Sequence, residues 1–196
     1  MADVYKFKVE LDELESVIWR EIELTSVSSV AKLGYAILAS FESAAMHLFN
    51  IRHKGKLYEI LFEEDEFGIE PIFDPITTKL EDLKLSVGDS LTMEYDYGAG
   101  WEFSIELVAI NKMQRGQGRK YPCVTDGKGK GIIEDTSTYE LLEIIDSTNK
   151  GEIPKVWDVF SNQEIDWDYK DFDLKNCNRL VKENLIKIKN CYEIYK

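Results

Sequence analysis

The sequence predicts an α+β domain, largely antiparallel, with a ββα opening, a central hairpin and a C-terminal helix. Three observations predict it. Tyr5, Phe7, Val9 and Leu11 alternate with polar residues, Val17 to Leu24 forms a second apolar run, and the period then becomes helical at Val30, Leu33, Ile37, Leu38 and Phe41. Residues 91 to 110 alternate on both sides of Gly98-Ala99-Gly100, the pattern of a hairpin. Leu174, Cys177, Leu180, Val181, Leu185, Ile188, Cys191 and Tyr192 recur at helical spacing and predict a helix over about 171–195.

The first strand ends in a turn, Asp12 to Ser16, and Val17 to Leu24 follows as the second. If Trp19 is buried there, Arg20 points to the opposite face, where it can pair with Asp96 or Glu102. Ser28 or Ser29 is placed to cap the first helix. His47 to Arg52 reads as a strand, with His47 sharing a face with Phe49 and Ile51, and Lys54-Gly55 turns it into Leu57 to Phe62. His53 beside that turn is expected to be solvated. Glu63 to Glu66 reads as an exposed loop, Phe67 to Ile76 as irregular, and Leu80 to Leu83 as a short helical turn.

In the central hairpin Tyr95, Tyr97, Trp101 and Phe103 are expected to pack on the body. Glu94, Asp96, Glu102 and Glu106 fall on the other face. Acids on a strand face ordinarily meet water, and Asp96 is placed to accept turn N–H bonds. The alternative is a carboxylate cluster that raises a pKa or holds a cation. Residues 112–131 follow, rich in glycine and basic side chains: Lys112, Arg115, Arg119, Lys120, Lys128 and Lys130 against one acid, Asp126. This stretch reads as a mobile loop, or as a phosphate grip through Lys120, Lys128 and backbone N–H groups. Ser137 to Glu140 is a capping box opening a helix, and Pro154 to Lys170 reads as irregular.

The chain has 196 residues, consistent with one domain over 1–196, and a net charge of −13 that repels nucleic acid and anionic membranes at long range. Cys123, Cys177 and Cys191 are odd in number and have no CxxC or Cys/His ligand spacing, as reduced thiols would. Met1 to Lys6 opens directly into a strand pattern, without a signal-peptide pattern, so a cytoplasmic location is expected. No Ser-His-Asp order or dinucleotide fingerprint is present. The case for an enzyme rests only on Asp96, Glu102, Asp126, Glu134 and Asp135, which would have to converge on a metal and a water. His47 reads either as a core histidine or as a catalytic or metal-binding one.

Several motifs arrive in a characteristic order: Ile18-Trp19-Arg20, Met46 to Ile51, Tyr95-Asp96-Tyr97-Gly98, Trp101-Glu102, Tyr121-Pro122, Asp126 to Gly129, Glu134-Asp135 and Phe172-Asp173-Leu174. Together they resemble the plasmid pRiA ORF-three-like family, which includes insertion-element passenger proteins with resolvase-like names. The resemblance implies a largely antiparallel α+β fold and an association with mobile elements. It does not imply a defined activity. Members typically carry an acid where this chain has Ala99, and many carry cysteines at positions matching Val124, Gly131 and Thr136. A zinc site is therefore not expected. No cofactor is expected, beyond weak binding of Mg, Mn or Ca by carboxylates. The expected function is that of a binding or accessory module with a protein partner, touching nucleic acid only weakly or through that partner. The alternatives are a carboxylate-metal enzyme acting on a phosphoester and a protein–protein scaffold.

Overall fold

Alternation sets the phase of the strands. β1 (Asp3–Leu11) turns Tyr5, Phe7, Val9 and Leu11 inward, and β2 (Trp19–Thr25) turns Arg20, Ile22 and Leu24 inward. The structure, a computed structural model, describes residues 2–61 and 71–194. The expected loop at Glu63 to Glu66, and Phe62 at the end of an expected strand, lie outside the described residues.

The remaining elements are α1 (Val30–Ser40), β3 (Phe49–His53), β4 (Lys56–Glu59), β5 (Ile72–Phe73), β6 (Ser90–Tyr95), β7 (Trp101–Lys112), β8 (Cys123–Lys128), α2 (Thr138–Asn149), β9 (Lys155–Asp158), β10 (Gln163–Asp166) and α3 (Leu174–Glu193). Among the described residues eight strands form one sheet in the order β5-β4-β3-β6-β7-β1-β2-β8, and β9 and β10 form a separate hairpin. Among the described residues all pairings are antiparallel except β4 with β5. The single domain is thus α+β and mostly antiparallel, as the periodicity predicts.

One face of the sheet carries the core. The other displays Lys6, Lys8, Glu10, Glu21, Glu23, Glu102, Ser104 and Glu106, a solvated face laced by pairs such as Lys6–Glu21 at 2.5 Å. Such exposed pairs contribute little to stability. α1 buries every residue but Lys32, as a helix enclosed on all sides must. It is held between the sheet and α3. Gly34 permits the approach to β3: a Cβ there would lie 2.4 Å from the Phe49 ring. Ser29 caps α1 by accepting from the Lys32 N–H at 3.1 Å, and the capping box of α2 forms at Ser137 and Glu140. Tyr192 of α3 stacks on Tyr35 at 5.6 Å and meets Phe49 edge-on at 5.0 Å.

Arg20 is buried and Trp19 half-buried, the reverse of the expected faces. The phase of β2 follows Ile22 and Leu24, and Arg20 shares their parity. His53 is buried rather than solvated, because it shares the parity of Phe49 and Ile51; its Nδ1 lies 3.0 Å from the Ser90 carbonyl oxygen. His47 precedes β3 instead of sitting on its face, since the chain is still turning out of Ala45, at φ +55°. Tyr97 lies beyond the end of β6 and is exposed, whereas Tyr95, Trp101 and Phe103 are buried. The glycine-rich stretch contains an ordered edge strand, β8, and residues 155–166 form a hairpin where the sequence reads as irregular.

Candidate functional site

Three connections bring the motif residues together. The first is the turn after α1, where Glu42 (φ +62°) and Ala45 (φ +55°) adopt left-handed conformations. The second is the hairpin tip after β6, beginning at Asp96 (φ +53°). The third is the segment after β8, ending at Asp135 (φ +58°). Gly131 allows this last segment to run against the end of α1: its Cβ would lie 1.8 Å from the Phe41 carbonyl oxygen, which accepts from the Ile132 N–H at 2.9 Å. Left-handed backbone costs non-glycine residues about 1 kcal/mol or more each, and such costs concentrate at functional sites.

Glu134 is the buried anchor. Its Oε1 accepts from the Ser43 hydroxyl at 2.7 Å and the Ala44 N–H at 2.6 Å, and the Tyr95 hydroxyl donates to both carboxylate oxygens at 3.1 Å. The Met46 N–H in turn donates to the Tyr95 oxygen at 3.2 Å. Burial, above all, raises the Tyr95 pKa, with the Glu134 charge adding to it, so the phenol keeps its proton and remains a donor. These bonds tie all three connections together.

His47 stands at the surface end of this network. Its ring meets Tyr95 edge-on at 6.0 Å, and its backbone carbonyl accepts from the Tyr192 hydroxyl of α3. Nε2 lies 3.4 Å from Asp96 Oδ2 and 3.7 Å from Asp135 Oδ1. Asp96 Oδ1 is occupied by the N–H groups of Gly98 and Ala99 at 3.1 and 3.2 Å, the turn bonds expected of it. Asp96 and the His47 Nε2 atom are buried and Asp135 is exposed, so the three side chains form a rim that reaches solvent on the Asp135 side. Beside it Tyr97 accepts from the Asn50 amide at 3.3 Å and donates to Glu59.

The other candidates lie elsewhere. Glu102 is exposed on the open sheet face, opposite Glu94. Asp126 is on edge strand β8 and accepts from the Gly127 N–H at 2.8 Å. Trp19 faces the Lys8 ammonium at 5.8 Å, and Trp101 is core. Lys120 pairs with Glu23 at 3.4 Å, and Lys128 donates to the Ser16 carbonyl at 2.8 Å. Arg20 meets neither Asp96 nor Glu102, the partners expected of it. It donates to the carbonyls of Ser40, Trp19 and Lys128 at 3.0, 2.8 and 2.8 Å, between the rings of Phe41 and Phe172. It therefore acts as a bolt joining β2, β8 and the end of α1.

Sequence reasoning missed Ser43, Ala44 and Tyr192, which position the site through a turn and a helix with no motif of their own. Chemically the rim offers one imidazole and two carboxylates. The nearby hydroxyl of Ser43 is directed at Glu134 rather than at His47, which leaves it poorly placed as a nucleophile. Among the described residues no group of three or more His, Cys, Asp or Glu side chains is arranged to hold a metal ion, and no helix is long and apolar enough to cross a membrane.

Over 107 residues the chain is 25% identical to the uncharacterized protein y4hQ of Sinorhizobium fredii (strain NBRC 101917 / NGR234), spanning 55% of this chain and about half, 54%, of that one. The crystal structure of the protein of unknown function MM3350 from Methanosarcina mazei Go1 superposes with a TM-score of 0.70 at 21% identity, covering 90% of this chain and 97% of that chain. It shares the fold. The family model of the plasmid pRiA4b ORF-3-like protein matches residues 3–176, and the chain belongs to that family.

Proposed function

We propose that the protein is a cytoplasmic binding module, accessory to the proteins of mobile elements, and that the His47 rim recognises a cationic group on a protein partner. One observation carries this reading: His47, Asp96 and Asp135, from three separate motifs, meet at one point that reaches the surface through Asp135, above a buried Glu134 network. Asp96 is preorganised by two backbone N–H bonds, and Asp135 presents its carboxylate from a left-handed residue. A lysine or arginine side chain entering the rim would meet both carboxylates. The net charge of −13 attracts such a partner at long range. The name of the family refers to a plasmid reading frame, which supports the mobile-element association. A carboxylate-metal enzyme has less in its favour, because Glu102 and Asp126 lie apart from Asp96 and Asp135.

The test is fluorescence anisotropy with a labelled short arginine- and lysine-containing peptide. Asp96→Asn combined with Asp135→Asn should weaken binding about tenfold or more, ~1.4 kcal/mol. Glu102→Gln, on the open sheet face, should leave it unchanged. Equal losses in both variants would mean diffuse attraction to an acidic surface, not a site.

A further inference from the structure

A second feature lies behind the Glu134 network. Leu180, Asn184, Lys187, Ile188 and Cys191 occupy one face of α3, at the i, i+4 and i+7 spacings that bring side chains into line. This face is turned towards the Glu42-Ser43-Ala44 turn and Phe160 of the β9–β10 connection, and the space between them is a cleft of about 440 Å3. From Leu180 to Cys191 the helix rises about 16 Å at 1.5 Å per residue, so the cleft wall is long as well as apolar. Its volume lies in the range of small-molecule sites, roughly 300–1,000 Å3. Phe160 is 66% exposed, an aromatic ring left in water at the cleft's edge.

The polar groups define what fits. The Lys187 ammonium donates to Asn184 Oδ1 at 3.3 Å and, among the described residues, has no carboxylate partner, whereas neighbouring Lys189 faces Glu193 at 3.6 Å. Asn184 also lines the cleft. On the far wall, burial raises the Glu42 carboxyl pKa, while Lys130 and Arg20 draw it back. Of the charged side chains lining the cleft, Lys187 is the one with no partner of opposite charge among the described residues.

We propose that this cleft binds a small amphipathic carboxylate, with its alkyl chain along Leu180, Ile188 and Phe160 and its carboxylate on Lys187 and the Asn184 amide. The chain would displace water from apolar walls while the headgroup stays at the half-solvated rim, the usual division between affinity and orientation. This site is separate from the His47 rim, and its failure would leave the reading of that rim untouched.

Cys191 supplies the readout. It lines the cleft and is exposed, while Cys123 and Cys177 are buried. The rate at which Cys191 reacts with an aromatic disulfide reagent is measured at increasing concentrations of decanoate, decylammonium and decanol, each kept below its aggregation threshold. Decanoate should slow the reaction at least fivefold and saturably, with little effect from the other two. Lys187→Glu, at an exposed position, should abolish protection by decanoate and confer it on decylammonium. Three results would overturn the proposal: no protection, equal protection by all three amphiphiles, or undiminished decanoate protection in the Lys187→Glu protein.

Discussion

The Tyr95 hydroxyl donates to both oxygens of the Glu134 carboxylate, each at 3.1 Å, across a separation of 39 residues. This contact joins the hairpin to the segment that carries Asp135, and so fixes the spacing of the carboxylates around His47. Tyr95→Phe removes the hydroxyl and keeps the ring. Glu134 retains its Ser43 and Ala44 donors, and the Met46 N–H loses its acceptor. The expected cost is about 1–3 kcal/mol, the penalty for buried polar groups left short of partners. Urea denaturation should show a lower midpoint with an unchanged m value.

Arg20→Lys should be more damaging than its conservative appearance suggests. A single ammonium cannot reproduce three carbonyl contacts in different directions or lie flat between Phe41 and Phe172. The charge would remain buried and under-bonded, at a cost of about 3–5 kcal/mol. A thermal melt within one degree of the parent would contradict the role assigned to Arg20.

Trp101→Ala should cost about 3–5 kcal/mol, the range for deleting a large buried aromatic. Trp101 is fully enclosed and pairs with Tyr95 across the hairpin, so the loss should also loosen the hairpin tip. Chemical denaturation measures the first effect, and hydrogen exchange at Asp96 to Gly100 the second.

The hairpin shows what the sequence could reveal. Alternation fixed its strands, its tip and three of the four aromatics expected to be buried, because each inward residue on β6 and β7 faces an unbroken apolar layer. Tyr97 broke the rule because it lies past the last strand pair. Arg20 departs from its expected face for a different reason: a guanidinium in the core is favourable only when carbonyl oxygens from β8 and α1 surround it, and those are distant in sequence. The motif order singled out His47, Asp96, Glu134 and Asp135, but their convergence depends on Gly131 and on turns after α1 that carry no pattern. The β9–β10 hairpin, four residues per strand and largely exposed, offered too little alternation to register.

Stability should decline on the alkaline side. Burial raises the Cys123 thiol to about 11, and burial likewise raises Tyr35, Tyr95 and Tyr192 above the usual phenol value. These groups are protonated in the folded protein over a range where the unfolded chain would already release protons. Their contribution is complete below the unfolded values, about 8.5 for Cys and 10 for Tyr, and is lost as pH rises through the folded ones. The melting temperature should fall steadily from about pH 9 to 11. A flat profile over that interval would contradict the burial assigned to these groups.

Duplex DNA should bind weakly and without sequence preference. Lys112, Lys120 and Lys128 are already engaged by Asp3, Glu23 and the Ser16 carbonyl. If three or four phosphates are contacted, the salt slope should be roughly −3 to −4. Titrations at about 50 and 200 mM salt measure it, the interval over which phosphate contacts weaken most visibly. Submicromolar affinity at the higher salt would make nucleic acid a primary ligand.

The most direct test of the rim as a cation site uses the two histidines of the chain. His47 borders the rim, and His53 is buried with its Nδ1 3.0 Å from the Ser90 carbonyl oxygen, which makes it an internal control. The imidazole C2–H resonances are followed by NMR while the arginine- and lysine-containing peptide is added at constant pH. A saturable shift of the His47 resonance is expected, with His53 unmoved, and that shift should be lost in the Asp96→Asn, Asp135→Asn protein. A bound peptide that leaves the His47 resonance in place would contradict a cation site at the rim.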